Sequence, residues 1–231
     1  MNQFEVKVIS VMHLTHDVLK VVTEKPENYE FMPGQATELS INRNGWKKVK
    51  RPFTFTCLPG NYFLEFTIKI YPSHRGVTNQ FRLIQQDDVL ILRDVFGTLM
   101  YEGEGVFIAG GAGVTPFISI LRSLQSTNSL GGNKLIFANK TKNDIILNRE
   151  FREMLGENFI NILSDEVVQG CSYGHISEDF LREHIPGNVR HIYLCGPPQM
   201  MDEVEEQLSA MNIAQETIIK ENFAEVPVGK K

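Results

Sequence analysis

The sequence predicts a β plus α/β fold in two parts, because the pattern of short elements changes near residue 100. Before that point, six β-rich runs alternate with turn signals, which favours a small antiparallel barrel. After it, apolar strands alternate with helical segments, which favours a parallel sheet covered on both faces. We therefore predict an antiparallel six-stranded Greek-key barrel in residues 1–100 and a five-stranded parallel α/β domain in residues 101–231.

The barrel strands are predicted from runs rich in β-branched and aromatic residues, separated by Pro, Gly and Asn turns. One helix is expected within this part, over residues 77–85. The predicted strands are 4–12, 18–24, 35–41, 53–58, 62–71 and 88–94.

The second part is predicted from short apolar runs, each followed by a segment of helical periodicity. The predicted strands are 105–110, 134–140, 159–164, 191–196 and 216–223. The predicted helices are 114–124, 148–155, 177–185 and 198–211.

Composition excludes several classes of function. The formal net charge of −5 argues against nucleic acid as a partner. No apolar run approaches the roughly 18–20 residues that span a bilayer, and the N-terminus has no signal-peptide pattern, so we expect a cytoplasmic protein without membrane contact. The cysteines, Cys57, Cys171 and Cys195, and the scattered histidines have no metal-ligand spacing, so no metal is predicted.

The segment GGAGVTPF, residues 110–117, follows a predicted strand and opens a predicted helix. Glycines such as Gly111 and Gly113 allow a sharp turn and close approach to a pyrophosphate, and a helix N-terminus offers free N–H donors. Thr115 is placed to cap this helix. The segment therefore indicates a dinucleotide-binding turn, with a simple tight turn that packs a helix on a sheet as the alternative.

A second segment, CGPPQMM at residues 195–201, ends a later strand of the same predicted sheet. Ligands bind at the carboxyl ends of parallel strands, so both segments are expected at one edge. Gly196 permits close approach, and Pro197 stiffens the entry to the next helix. The alternative for Cys195 is a small buried apolar residue.

Together these segments resemble the ferredoxin–NADP reductase-type flavin oxidoreductases, in the form that has no iron–sulfur domain. The resemblance covers nearly the whole chain and keeps the order of the motifs. It is carried by PGQ at 33–35, RPFT at 51–54, FGTLMY at 96–101, GGAGVTPF at 110–117, CGPPQMM at 195–201 and ENF at 221–223.

The resemblance implies an FAD site on the barrel. Arg51, followed by Pro52, would pair with the flavin pyrophosphate through charge-assisted bonds. Phe53 would lie against the isoalloxazine ring, or else fill the barrel core, and Thr54 would hydrogen-bond near flavin N5. The backbone along the ring edge and the short helix that receives the phosphates would be supplied by Ile68, Lys69, Ile70, Gly76, Val77 and Thr78.

The resemblance also implies a nicotinamide site for the donor nucleotide. Thr115 and Cys195 would flank the nicotinamide ring. Glu221 would assist proton balance and Phe223 would cover the flavin, with a solvated strand-end charge as the alternative for Glu221. The implied catalytic residues are Thr54, Cys195 and Glu221.

The choice of nicotinamide cofactor depends on two positions. NADP-using relatives often carry Ser-Arg after the third strand of this domain, where this chain has Ser164 and Asp165. Asp165 would repel a 2′-phosphate and accept from a ribose diol, whereas Lys140, at the end of the second strand, favours a phosphate. The sequence favours NADH and leaves NADPH open.

The implied activity is an NAD(P)H-dependent flavoprotein reductase, which passes a hydride to bound FAD and then electrons to a carrier such as flavodoxin or ferredoxin. A local basic loop with Lys47, Lys48, Lys50 and Arg51 is a candidate surface for steering a small acidic carrier, with a solvated hairpin as the favoured alternative for the three lysines. The alternatives are a free-flavin reductase and a reductase subunit of a multicomponent oxygenase or another electron-transfer complex. A binding module without redox activity is a further alternative.

Overall fold

The computed structural model describes residues 2–72, 76–97 and 99–220, which form two compact units. Among these residues, the first unit contains those up to Met100 together with Thr115–Ser123. The second contains Tyr101–Val114 and the residues from Leu124 onward. Residues 115–123 therefore group with the first unit, although the sequence places them in the second part.

The first unit is the predicted antiparallel barrel of six strands. The sheet order β4-β3-β6-β1-β2-β5 is that of a Greek key, and an isolated antiparallel bridge between Phe55 and Phe66 joins its two ends. The strands are β1 (Phe4–His13), β2 (Val18–Glu24), β3 (Ala36–Ile41), β4 (Arg51–Thr54), β5 (Phe63–Lys69) and β6 (Val89–Phe96).

The barrel core is built from inward-facing apolar residues of every strand. Phe55 and Phe66 are fully buried, and Phe31 stacks on Phe55 with 4.2 Å between the ring centroids. Burial of each such ring stabilises the fold by about 1.5–3 kcal/mol. The predicted helix at 77–85 is shorter than expected, because α1 (Val77–Gln80) passes into a 3-10 turn over Phe81–Leu83.

The second unit contains a parallel sheet with the order β10-β9-β8-β7-β11-β12. The sequence predicts five strands, and the described residues form six. The additional strand, β10, has only two residues, which is too short to leave a pattern in the sequence. The strands are β7 (Val106–Gly110), β8 (Lys134–Asn139), β9 (Phe159–Leu163), β10 (Ser172–Tyr173), β11 (Ile192–Cys195) and β12 (Ile218–Lys220).

Helices connect these strands as predicted, and their ends carry recognisable caps. Ser177 accepts the backbone N–H of Phe180 at 3.2 Å at the start of α4, and Pro198 occupies the first turn of α5. No helix in the described part of the chain is long and apolar enough to cross a membrane. The helices are α2 (Thr115–Ser126), α3 (Asn148–Leu155), α4 (Glu178–His184) and α5 (Pro198–Ala210).

The strand order creates a switch point between β7 and β11. From β7 the chain runs outward through β8, β9 and β10, and it then crosses to β11 and β12 on the other side. In such sheets, ligands bind in the crevice outside the carboxyl ends of the strands at the switch point. A ligand site is therefore expected beside the chain segments that leave β7 and β11.

Candidate functional site

The glycine-rich turn after β7 packs tightly against the segment after β11. A Cβ on Gly113 would lie 2.3 Å from the Cys195 carbonyl oxygen and 2.6 Å from Gly196 Cα. A Cβ on Gly110 would lie 2.4 Å from Met200 Sδ. Gly110 and Gly113 are thus required by packing within the protein. Gly111, with φ of +50° and no atom within 4 Å of a Cβ position, is the glycine that faces open space.

The segment after β11 lies at the same sheet edge, as predicted. Cys195 pairs with Ala109 in the parallel register, so both chain segments leave the sheet side by side. Cys195 is 3% exposed and Gly196 half-buried, whereas Pro197 is exposed. Cys195 is therefore mostly enclosed by protein, and Gly111, Gly196 and Pro197 are among the residues that offer accessible surface here.

Lys140 and Asp165 meet at the carboxyl ends of β8 and β9. The Asp165 N–H donates to the Lys140 carbonyl at 2.9 Å, and the Ser164 N–H donates to the Asn139 carbonyl at 3.0 Å. Ser164 Oγ donates to Asp165 Oδ1 at 2.6 Å, which orients that carboxylate. Both Lys140 and Asp165 are exposed. The structure thus brings together the two residues that are predicted to decide the choice of nicotinamide cofactor.

Two further carboxylates surround this pair, and the sequence reasoning missed both. Glu166 Oε2 accepts the Lys142 N–H at 2.7 Å. Asp144 Oδ2 accepts the Thr141 N–H at 2.9 Å and the Thr141 hydroxyl at 2.7 Å. Carboxylates therefore already accept the backbone N–H groups of Thr141 and Lys142. The Thr-x-x-Asp spacing of 141–144 is a capping-box signal that was readable in the sequence.

The RPFT motif forms strand β4. This strand pairs antiparallel with β3, so that Arg51 lies opposite Leu39 and Thr54 lies opposite Ala36. Arg51 is half-buried, and its Nη1 donates to the neighbouring Lys50 carbonyl at 2.9 Å. Phe53 packs against the barrel core and meets Phe81 edge-on at 5.2 Å between centroids, yet its side chain stays half-buried. Phe53 thus combines a core contact with an accessible surface.

The end of β5 presents backbone groups away from β2. The Ile70 N–H donates to the Asp17 carbonyl at 2.7 Å, and Val18 pairs with Lys69. The hydrogen bond from Ile70 to Asp17 flanks the Val18–Lys69 pair, which is therefore a non-hydrogen-bonded pair of the antiparallel ladder. In such a pair the backbone N–H and C=O point outward, so those of Lys69 point away from β2. Ile68 is fully buried and Ile70 nearly so, which leaves the backbone as the feature a ligand could use.

The Lys69 side chain is held by Asp17 at 2.8 Å. Partial burial acts to raise the pKa of Asp17, but the hydrogen bond and charge of Lys69 outweigh it and hold that pKa below 3.8. A carboxyl group whose pKa is lower in the folded than in the unfolded state stabilises the fold at pH values above its unfolded-state pKa. This stabilisation is lost as the pH falls through the folded-state pKa.

We expect Asp17→Asn to lower the melting temperature at pH 7 by a few degrees, with the difference from wild type shrinking as the pH falls below about 3.8. Differential scanning calorimetry between pH 3 and pH 7 measures both. A difference that stays constant over this range would show that the Asp17 charge contributes nothing.

The short helix α1 begins after Gly76, whose φ of −91° is ordinary. Val77 is fully buried and Thr78 half-buried. Asn79 was not singled out from the sequence, but its Oδ1 is buried and has no hydrogen-bond partner among the described residues. An unmet buried acceptor costs about 1–3 kcal/mol, so a donor from a ligand hydroxyl or water would be favourable here.

The predicted basic loop is only partly basic at its surface. Lys47 and Lys48 are exposed, but Lys50 forms an ion pair with Glu38. The loop is anchored, because the buried Arg93 donates to the Lys47 carbonyl at 3.1 Å. Two lysines on a fixed loop therefore remain as the exposed cationic surface.

Glu221 and Phe223 lie outside the described residues, so their predicted roles stay predictions. Cys57, which has no predicted role, is 2% exposed, and burial raises the pKa of its thiol to about 11, which disfavours the reactive thiolate.

Comparisons with known proteins agree with this geometry. Residues 107–206 match the model of the oxidoreductase NAD-binding domain. The reductase component of propane 2-monooxygenase from Rhodococcus jostii is 27% identical, over 94% of this chain and 62% of its own length. NADH–cytochrome b5 reductase 1 from Arabidopsis thaliana is 29% identical, over 93% of this chain and 82% of its own length.

A solved structure extends the match to the whole fold. The ferredoxin NADP+ reductase from Neisseria gonorrhoeae, solved with bound FAD and NADP, superposes with a TM-score of 0.85 at 21% identity, over 96% of this chain and 99% of that one. The fold is therefore that of a two-domain oxidoreductase with a barrel and a nucleotide-binding sheet. The chain is thus similar to oxidoreductases of the ferredoxin–NADP reductase type, which is the resemblance that its motifs predicted.

Proposed function

We propose that this protein is an NAD(P)H-dependent flavoprotein reductase that takes a hydride from a nicotinamide nucleotide and passes electrons to a carrier protein. The observation that carries the proposal is the pairing of the glycine turn with the Cys195–Pro197 segment at the switch point, where nucleotides bind in such sheets. The printed names of the relatives support it, since they are reductases or reductase components. The chain spans 62% of the length of the Rhodococcus relative.

FAD is the flavin that the residues of the barrel fit. Arg51 would bind its pyrophosphate, Phe53 would pack against its ring with the exposed part of the side chain, and the Lys69 backbone would face the ring edge. Asn79 Oδ1, buried and without a partner among the described residues, would accept a ligand hydroxyl or a water. When bound, FAD accepts a hydride and releases electrons singly.

Hydride transfer needs the donor carbon held against the flavin ring and water kept out. Thr54, which is 4% exposed, would hydrogen-bond near flavin N5, and Thr115 and Cys195 would flank the nicotinamide. Glu221 would assist proton balance, and Phe223 would cover the flavin. These assignments follow the family pattern of the motifs.

NADH is the donor favoured by the surroundings of Asp165. The two loops that follow β8 and β9 carry three carboxylates and two lysines. The carboxylates belong to Asp144, Asp165 and Glu166, and the lysines are Lys140 and Lys142. An acidic majority disfavours the 2′-phosphate of NADPH, and an oriented carboxylate suits a ribose diol. The name of the Arabidopsis relative specifies NADH as well.

The electron acceptor is proposed to be a small acidic carrier protein that meets the exposed Lys47 and Lys48. We expect the Lys47→Ala/Lys48→Ala variant to raise the KM for such a carrier about three- to tenfold at low salt, with the effect fading above 0.3 M salt. Lys7→Ala/Arg190→Ala, which removes two exposed charges elsewhere, should leave the KM unchanged. Equal effects of the two double variants would remove the docking role.

A reductase component of an oxygenase is the second candidate, and the Rhodococcus relative favours it. Steady-state NADH oxidation separates a carrier-protein reductase from a free-flavin reductase when flavodoxin, ferredoxin, cytochrome b5 and free FMN are compared as acceptors. The proposal expects the highest kcat/KM with one of the proteins. A low KM for FMN and no turnover with any protein would identify a free-flavin reductase instead.

A further inference from the structure

Polar contacts within the first unit join helix α2 to the barrel. Ser119 Oγ accepts the Gly34 N–H at 3.0 Å. Arg122 Nη1 donates to the Thr56 carbonyl at 2.7 Å and to Glu65 Oε1 at 2.6 Å. Barrel residues that precede β3, follow β4 and belong to β5 thus contact this helix.

Gly34 shows how closely the helix approaches. Its φ is +94°, and a Cβ there would lie 2.1 Å from the Leu99 carbonyl oxygen and 3.1 Å from Ile120 Cδ1. Only glycine combines this backbone conformation with this contact. The PGQ segment, which carries part of the family resemblance, therefore packs directly against α2.

The ion pair of Arg122 and Glu65 is largely enclosed. The Arg122 side chain is 19% exposed and that of Glu65 9% exposed. Thr56 Oγ1 donates to the same carboxylate oxygen at 2.9 Å, and Lys20 Nζ lies 4.0 Å from the other. Breaking one partner of such a pair leaves an uncompensated buried charge, whereas replacing both with neutral groups is often tolerated.

The contacts on α2 fall on one stripe of the helix. Thr115, Ser119 and Arg122 are spaced i, i+4 and i+7, which keeps them within about 60° of arc and about 10 Å along the axis. Ser119 and Arg122 both contact the barrel, so the stripe that begins at Thr115 is the one the barrel holds. On the barrel side, Thr56 lies two residues after Thr54.

We propose that Arg122 and Glu65 are positioning residues for hydride transfer, an inference that rests on the proposed function. The pair fixes the register of α2 on the barrel and thereby the place of Thr115 relative to Thr54. Neither Arg122 nor Glu65 is assigned a contact with the reacting atoms. Because a displacement of about 1 Å can cost about a hundredfold in rate, loss of this anchor should slow the hydride step.

Three variants and a control test the role. Arg122→Met breaks the pair, and Glu65→Gln/Arg122→Met removes both charges so that folding is preserved. Arg122→Lys keeps a cation that is one atom shorter. Arg182→Met breaks the exposed pair of Arg182 and Glu178 and serves as the matched control.

For each FAD-loaded protein, four quantities are measured: FAD content, the limiting rate of flavin bleaching by NADH in stopped flow, the rate of flavin reoxidation by ferricyanide, and hydrogen exchange of the α2 amides. The double variant should keep its FAD and its reoxidation rate but bleach at least about tenfold more slowly, with faster exchange in α2. Arg122→Lys should fall between it and wild type, and Arg182→Met should match wild type.

A bleaching rate within twofold of wild type in the double variant overturns the inference. The inference is also overturned if the bleaching rate, the reoxidation rate and the FAD content all fall together. The ion pair of Arg122 and Glu65 would then only support the fold. If the unaltered protein is not bleached by NADH, the proposed function fails and the inference falls with it, and this result is distinct from the other two.

Discussion

Arg51→Ala should bind FAD about ten- to a hundredfold more weakly than the unaltered protein. A hydrogen bond to a charged group contributes about 1.5–3 kcal/mol, and each 1.4 kcal/mol is a factor of ten in Kd. The fold should survive, because Arg51 is half-buried and the protein contact of its Nη1 is with the adjacent Lys50 carbonyl. Fluorescence titration of the apoprotein with FAD measures the Kd.

Two further variants sharpen this prediction. Arg51→Lys keeps the charge but loses the planar fork, so its Kd should lie between those of wild type and Arg51→Ala. Arg149→Ala removes an exposed arginine that pairs with Glu153, and it should bind FAD normally. An unchanged FAD affinity in Arg51→Ala, with normal thermal unfolding, would show that β4 does not hold the pyrophosphate.

Asp165→Arg should lower the ratio of kcat/KM for NADH to that for NADPH by at least about tenfold. The substitution removes the proposed ribose acceptor and places a guanidinium beside Lys140, where a 2′-phosphate would bind it. The substituted side chain is exposed, so folding should not suffer. Steady-state kinetics with both nucleotides and a fixed acceptor give the ratio.

The matched control is Glu206→Arg, which makes the same charge change on the exposed side of α5. It should leave the ratio within twofold of wild type. A similar drop in both variants would assign the effect to overall charge, and no drop in Asp165→Arg would remove that residue from the nucleotide site.

The barrel and the strand–helix alternation were predictable because both depend on local pattern. The parallel order followed from the connections, and the glycine turn and the Cys195 segment do leave adjacent strands. Strand β10 was missed because two residues carry no periodicity. Helix α1 is shorter than predicted because the chain tightens to a 3-10 turn at Phe81.

Several features of the site depend on residues that are distant in the sequence. Arg122 and Glu65 are 57 positions apart, and no local pattern links them. The structure gives a different reason for the glycine at position 113 from the one that the sequence suggested. The absence of a Cβ makes room for the Cys195 carbonyl, whereas the sequence suggested that it makes room for a pyrophosphate. Lys50 does not contribute to the exposed basic surface, because Glu38 on the neighbouring strand β3 forms an ion pair with it.

The proposed function depends on hydride transfer from a nicotinamide nucleotide to a flavin held by this chain. The most direct test is an anaerobic titration of the FAD-loaded protein with NADH, followed through the visible flavin absorption. We expect bleaching with one equivalent of NADH per flavin and recovery of the absorption when air is admitted. A protein that binds no FAD, or whose bound FAD keeps its absorption under excess NADH and excess NADPH, would contradict it.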